Sequence, residues 1–171
     1  MPIRTADRMP ATRAWPCRLT SDRAWSTARV LGALALLAVG AVHLQQYYKL
    51  YSAVPTIGAL FVANFVGATI LGIVLLAPVD RWGGRWGGGL VTLAAAGGVA
   101  LAAGTFVMLA ISESRPLFGF QEPGYDPVAI AASRGAEVAT VVLLGAYLAA
   151  RFAAKARLTT SRDDKQLRRR T

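Results

Sequence analysis

Side chains able to do chemistry are scarce in this sequence. Its 171 residues include one histidine, His43, and one cysteine, Cys17. A single cysteine cannot form a disulfide within one chain, and a single histidine cannot supply both axial ligands of a bis-histidine haem. The sequence shows no Ser/His/Asp set, no pair of catalytic carboxylates, no metal-ligand cluster and no phosphate-binding loop. We therefore expect no cofactor and no metal, and we favour a non-enzymatic protein.

Five of the polar residues in the apolar segments fall at a similar depth. If each segment is a helix that crosses a bilayer, a rise of about 1.5 Å per residue places all five roughly 5 to 10 Å below the outer surface. Ionisable groups at such a depth are candidates for function by default. We call this set the polar layer; it consists of His43, Asn64, Thr105, Arg134 and Glu137.

Glu137 is the member of the polar layer whose burial needs most explanation. An ionised carboxylate in hydrocarbon costs on the order of several kcal/mol unless it is paired, faces water or is protonated. Arg134, three residues earlier, is the nearest candidate partner. Two interpretations stay open. Either the layer is a structural network in an accessory or scaffold protein, or it is an outer-leaflet binding or transport site for a proton, quinone, lipid or small solute.

Four apolar segments must position this layer. The composition is 54% hydrophobic and 16% charged, and the mean hydropathy of +0.43 favours a membrane protein. The segments lie at about 29–48, 57–77, 89–111 and 129–151, so we predict an all-α bundle of four transmembrane helices within residues 30–152. Residues 1–29 and 153–171 are predicted to be a disordered basic arm and a basic tail. The alternative for the first segment is a signal peptide cleaved near residues 39–41.

The distribution of basic residues predicts the orientation. Of 19 Lys and Arg, sixteen lie in the two tails and the connector between the second and third spans, and three lie near the other connectors. The positive-inside rule therefore predicts a multi-pass plasma-membrane protein with both termini in the cytoplasm. The net charge of +10 does not indicate a nucleic-acid binder, because the basic residues are not gathered on a folded domain. The expected partners are the bilayer and either further copies of the chain or another membrane protein.

Small residues recur at helical spacing and predict where the helices touch. In membranes, helices associate through close backbone approach and polar contacts. The rows are Gly32, Leu36, Gly40 and His43; Asn64, Ala68 and Gly72; Ala94, Gly98 and Ala102; Ala96, Ala100 and Gly104; and Ser133, Glu137, Val141 and Gly145. Because several rows include polar-layer residues, we expect these residues to face the bundle interior.

Two sequence blocks resemble a signature of small four-span integral membrane proteins from high-GC bacteria. The first reads His-Leu-x-x-x-Tyr from His43, followed by Pro-Thr-Ile-Gly-x-Leu-Phe-x-x-Asn from Pro55, and the second is residues 117–122. The resemblance covers about residues 30–150 and implies a four-helix fold without a reaction. Both blocks fall on the predicted outer face, where the candidate site residues are Gln45, Gln46, Tyr47, Tyr48 and Glu122.

Overall fold

The computed structural model describes residues 17–167, and their regular structure is helical. The helices are α1 (Cys17–Gln46), α2 (Pro55–Leu76), α3 (Val79–Trp82), α4 (Gly84–Ser114) and α5 (Pro127–Leu167), and a π-helical turn at Tyr47–Tyr51 continues α1. Four segments are long and apolar enough to cross a membrane: Ala24–Tyr51, Pro55–Leu76, Trp86–Ser114 and Pro127–Arg157. The prediction of an all-α chain with four such helices is confirmed.

The four long helices form a ring. Helix α1 packs against α2 and α5, helix α4 packs against the same two helices, and α1 and α4 meet only weakly across the diagonal. Short connections between consecutive helices make neighbouring helices antiparallel. The bundle therefore has a loop end, which carries residues 47–54 and 115–126, and a terminal end, which carries residues 77–83.

The local sequence explains where α2 begins and ends. Pro55 occupies the start of the helix, where its missing N–H would have no intrahelical partner in any case. The helix ends at Leu76, two residues before Pro78. The connector 81–88 between the second and third spans contains the end of α3, Gly83 and the first turn of α4. A Cβ on Gly87 would clash with the carbonyl oxygen of Val79, so this close approach requires glycine.

The apolar core lies in the half of the bundle nearer the terminal end. Its buried members include Leu36 in α1, Leu75 in α2, Val91 in α4 and Leu144 in α5. Interiors of this kind are close-packed, with few voids large enough for a ligand. The loop-end half is different, because most of the buried polar side chains lie there.

Three glycines allow the helices to approach closely. A Cβ on Gly32 would meet Leu144, and one on Gly72 would meet Leu37; Gly98 lies between Leu144 and Leu36. The predicted rows are therefore contact faces in α1, α2 and one side of α4. The second row in α4, Ala96, Ala100 and Gly104, is instead exposed, because the ring of helices covers only one side of α4.

The first and last helices of the chain, α1 and α5, are longer than predicted. Helix α1 begins at Cys17, inside the segment expected to be disordered, and α5 continues to Leu167, well into the expected tail. No proline occurs in residues 17–54 or 128–171, and extending an existing helix costs far less than starting one. Residues 1–16 and 168–171 lie outside the described residues, so the predicted disorder there is not tested.

Candidate functional site

A partly open cavity of about 120 Å³ lies at the loop end of the bundle, which we call the loop-end cavity. Helices α1, α2, α4 and α5 all contribute to its wall, and the segment 115–126 covers it. Its apolar wall includes Val42, Ile57, Leu60, Phe61, Met108, Leu109 and Ile130. Its polar lining residues are His43, Gln46, Tyr51, Thr105, Ser112, Glu122, Asp126, Ser133 and Glu137.

The π-helical turn after α1 brings two polar side chains into this cavity. The Ser52 backbone N–H donates to the carbonyl of Tyr47, five residues earlier, at 2.9 Å. In a continuing α-helix, residues five apart point about 140° away from each other. Here Gln46 and Tyr51 are 5% and 7% exposed and both line the cavity. The wider turn therefore supplies a side-chain direction that a regular helix could not.

A tight turn positions the apolar cover of the cavity. Leu117 and Phe120 exchange backbone hydrogen bonds of 2.7 and 3.0 Å. Phe118 and Gly119 between them have φ values of 53° and 80°, the pattern of the two-residue turns that have positive φ at both central positions. As a result Leu117 and Phe120 line the cavity, whereas Phe118 is exposed.

Glu122 holds the covering segment together. One carboxylate oxygen accepts the backbone N–H groups of Gly124 and Tyr125 at 2.9 and 3.0 Å, and the other accepts the hydroxyl of Tyr51. The Glu122 backbone N–H donates to the carbonyl of Ser112 at 2.9 Å. With 5% exposure, this carboxyl has the full set of partners expected of a buried structural group.

Asp126 begins α5 and joins it to α1. Its Oδ1 accepts the Ala129 backbone N–H at 3.0 Å, an N-cap interaction, and Oδ2 accepts the Gln46 amide at 2.8 Å. Lys49 lies 3.9 Å from the same oxygen. The hydrogen bond from the Ala129 N–H, and to a smaller extent the one from Gln46, holds the pKa of Asp126 below its ordinary value.

Glu137 lies deeper in the cavity wall and has incomplete partners. It is 1% exposed, and Oε1 accepts the hydroxyl of Ser133 at 3.0 Å. Its Oε2 is buried without a hydrogen-bond partner among the described residues. The neighbouring Thr105 hydroxyl lies within reach of Glu137, but its one hydrogen is directed to the carbonyls of Leu101 and Ala102, at 3.0 and 3.2 Å. Glu137 therefore differs from Glu122, whose two oxygens are both occupied.

The expected pairing of Arg134 with Glu137 is not found. The Arg134 guanidinium instead forms an ion pair with Glu113 on α4, and Arg134 does not line the cavity. Residues three apart on a helix share a side, but Glu113 lies at the more exposed level of Arg134, where an ion pair avoids the desolvation that Glu137 would impose.

His43 and Asn64, the other two members of the polar layer, lie in different surroundings. His43 lines the cavity, donates Nδ1–H to the carbonyl of Val39 at 2.8 Å, and packs on Phe61 with ring centroids 5.0 Å apart. Asn64 is buried on the α2 face that meets α1, does not line the cavity, and has no side-chain partner among the described residues. The structure thus brings His43, Thr105 and Glu137 of the predicted layer into one cavity.

The predicted outer-face residues fall into two groups. Gln46 and Glu122 line the cavity. Gln45 and Tyr48 are exposed, and Tyr47 packs edge-on against Tyr48 with ring centroids 5.3 Å apart. Sequence reasoning did not single out Tyr51, Ser112 or Asp126 as site residues. Asp126 carried a signal, because an aspartate before Pro127 is a typical helix start; the direction of Tyr51 depends on the π-helical turn, for which we find no sequence signal.

The charge of the loop-end cavity opposes that of the whole chain. Three carboxyl groups line it, those of Glu122, Asp126 and Glu137, and the described residues of its lining include no lysine or arginine. The net charge of the chain is +10. Within the described part of the chain, no group of three His, Cys, Asp or Glu residues is arranged to hold a metal ion.

Comparisons with protein-family models, curated proteins and solved structures find no match to this chain.

Proposed function

We propose that this chain is a multi-pass plasma-membrane protein with both termini in the cytoplasm, and that its loop-end cavity binds a small solute in the outer leaflet. The orientation is supported by the sixteen basic residues of the tails and the connector near the terminal end, against three elsewhere. Reporter fusions after Arg157 should read cytoplasmic, and fusions within residues 115–126 should read extracytoplasmic. The opposite pattern would reverse the proposed orientation.

The observation that carries the binding proposal is the incomplete hydrogen bonding of Glu137. A buried polar atom without a partner costs about 1–3 kcal/mol, and more when it is charged. Glu137 lines a cavity, so a ligand that donates a hydrogen bond there would offset that cost. The cavity of about 120 Å³ is similar in size to an apolar cavity of roughly 150 Å³ known to hold benzene, which limits the ligand to about one ring.

A scaffold role explains Glu122 better than Glu137. In a purely structural network each buried carboxyl should be fully paired, as Glu122 is through Tyr51 and two backbone N–H groups. Glu137 has one donor. The alternative is a scaffold protein whose cavity binds no ligand, and the following experiment distinguishes the two.

The test is saturable binding of benzyl alcohol, an aromatic ring with one hydroxyl donor, to the purified full chain in lipid nanodiscs. Ala129 lines the cavity, so Ala129→Phe should fill it and weaken binding by about tenfold or more, equivalent to about 1.4 kcal/mol. Ala132 is exposed on the same helix, so Ala132→Phe is the matched control. Binding that is absent, or equal in both variants after correction for empty nanodiscs, contradicts the proposal.

A further inference from the structure

We infer that the solute bound in the loop-end cavity is a small organic cation, a protonated amine on an apolar body; this inference rests on the proposed function. The chemistry of the cavity wall distinguishes such a ligand from an anion, a neutral molecule and a metal ion.

The first argument is electrostatic. Glu122, Asp126 and Glu137 line the cavity, and no lysine or arginine stands among the described residues of its wall. Lys49, outside the wall, lies 3.9 Å from Asp126 and offsets the charge of that one carboxyl. Charges in a site partly removed from water interact more strongly than they do in bulk water. An anionic ligand would therefore be repelled, whereas a cation would be attracted although the whole chain carries a charge of +10.

The second argument is the kind of hydrogen-bonding group that the cavity wall needs. Gln46 and Glu137 are 5% and 1% exposed, and each has one buried oxygen, Oε1 and Oε2 respectively, without a partner in the described part of the chain. The Gln46 amide nitrogen already donates to the carboxylate of Asp126, which fixes the amide orientation and makes its remaining atom an acceptor. With Glu137 ionised, both unpaired oxygens are acceptors and require donors. A primary ammonium offers three donors and no acceptor, as a lysine head group does.

The third argument concerns the body of the ligand. The cavity wall also has apolar and aromatic members, among them Leu60, Phe61, Met108 and Phe120. Phe61 and Phe120 both pack on the ring of Tyr51, with centroids 4.7 and 5.5 Å from it. Aromatic faces attract cations as well as apolar groups. A bare metal ion would leave this wall unused, and no three-residue metal-ligand group exists among the described residues.

The experiment compares benzylamine, benzyl alcohol and benzoate, which share a ring and differ in charge, on the full chain in nanodiscs of zwitterionic lipid. Charge-assisted hydrogen bonds are roughly twice as strong as neutral ones. We expect benzylamine to bind at least about tenfold more tightly than benzyl alcohol, and benzoate more weakly than both. Glu137→Gln should reduce benzylamine affinity by about tenfold and change benzyl alcohol affinity much less. Asp80→Asn, which removes an exposed carboxylate at the terminal end, should change neither.

The outcomes separate this inference from the proposed function. If benzyl alcohol binds saturably and benzylamine binds no more tightly, the inference of a cationic ligand is wrong and the proposed binding site stands. If no probe binds, both fail. The comparison of probes on the unaltered chain decides between these results even if Glu137→Gln does not fold. In that case Gln46→Leu replaces Glu137→Gln as the variant expected to weaken benzylamine binding.

Discussion

Glu122 and Glu137 are the same chemical group in two different situations. Glu122 receives three hydrogen bonds and ties the covering segment to Tyr51. Glu137 receives one, from Ser133, and faces the loop-end cavity. The first carboxyl therefore stabilises the fold, whereas the second keeps one oxygen without a partner among the described residues.

Substitution of each carboxyl should separate these roles. Glu122→Ala leaves three donors without an acceptor, so we expect the free energy of unfolding to fall by about 2–3 kcal/mol. Glu137→Gln keeps an acceptor for Ser133, and its stability should stay within about 1 kcal/mol of the parent. Thermal unfolding in detergent measures both. A larger loss for Glu137→Gln than for Glu122→Ala would show that Glu137 is the structural residue.

Asp126 gives the fold a defined pH dependence. Because its pKa is lowered by the Ala129 N–H and by Gln46, ionised Asp126 stabilises the folded state. This contribution is present above the unfolded pKa of about 4 and is lost as the pH falls through the lower folded pKa. Asn also caps helices but does not titrate in this range. Asp126→Asn should therefore lose less stability than the parent when thermal unfolding is measured at pH values below about 4. Equal losses would contradict the assigned role.

At the scale of elements, the π-helical turn and the start of α2 form one unit. A Cβ on Gly58 would lie 2.8 Å from the carbonyl oxygen of Tyr51, a backbone atom that cannot move alone. Glycine at this position therefore allows the turn to lie close against α2, and the turn directs Gln46 and Tyr51 into the cavity.

Gly58→Ala should therefore be destabilising, by about 1–3 kcal/mol for overpacking. A Cβ on Gly104, on the exposed side of α4, would meet nothing within 4 Å, so Gly104→Ala should be neutral or stabilising by up to about 1 kcal/mol. Melting temperatures of the two variants provide the comparison. A neutral Gly58→Ala would mean that the turn tolerates displacement from α2.

The elements show which features of the site can be predicted from a sequence. Segment length and hydropathy are enough to place α2 and α4 within a few residues, because those helices are bounded by prolines, glycines and polar loops. Depth counting brought His43, Thr105 and Glu137 to one level, since rise per residue is nearly constant in helices. It could not find the partner of Arg134, because the ion pair with Glu113 depends on how α4 and α5 are rotated against each other.

At the scale of the whole molecule, the bundle is divided into two halves with different packing. Leu36, Leu75 and Leu144 fill the half nearer the terminal end, whereas the half nearer the loop end contains the cavity and its carboxyl groups. A rigid half beneath a cavity is a suitable foundation for a binding site, because side chains held by packing keep their geometry. The sequence predicted the bundle but not this cavity, whose shape depends on the covering segment and on the π-helical turn.

The central claim is that the loop-end cavity is open to a solute from outside the cell. Thr105 lines the cavity and bonds to backbone carbonyls of its own helix, so Thr105→Cys in a Cys17→Ser background places one small reactive group there. Ala100, exposed on the same helix away from the cavity, provides the matched Ala100→Cys control.

The most direct measurement is the labelling of these variants in intact spheroplasts by a membrane-impermeant, cationic methanethiosulfonate reagent. We expect the cysteine at position 105 to be labelled from outside, since the acidic cavity wall attracts the reagent and lowers the barrier to its entry. The cysteine at position 100 should stay unlabelled, because in a bilayer this exposed side of α4 would face lipid. Protection of position 105 in spheroplasts, followed by labelling only after the cytoplasmic side is opened, would contradict the account.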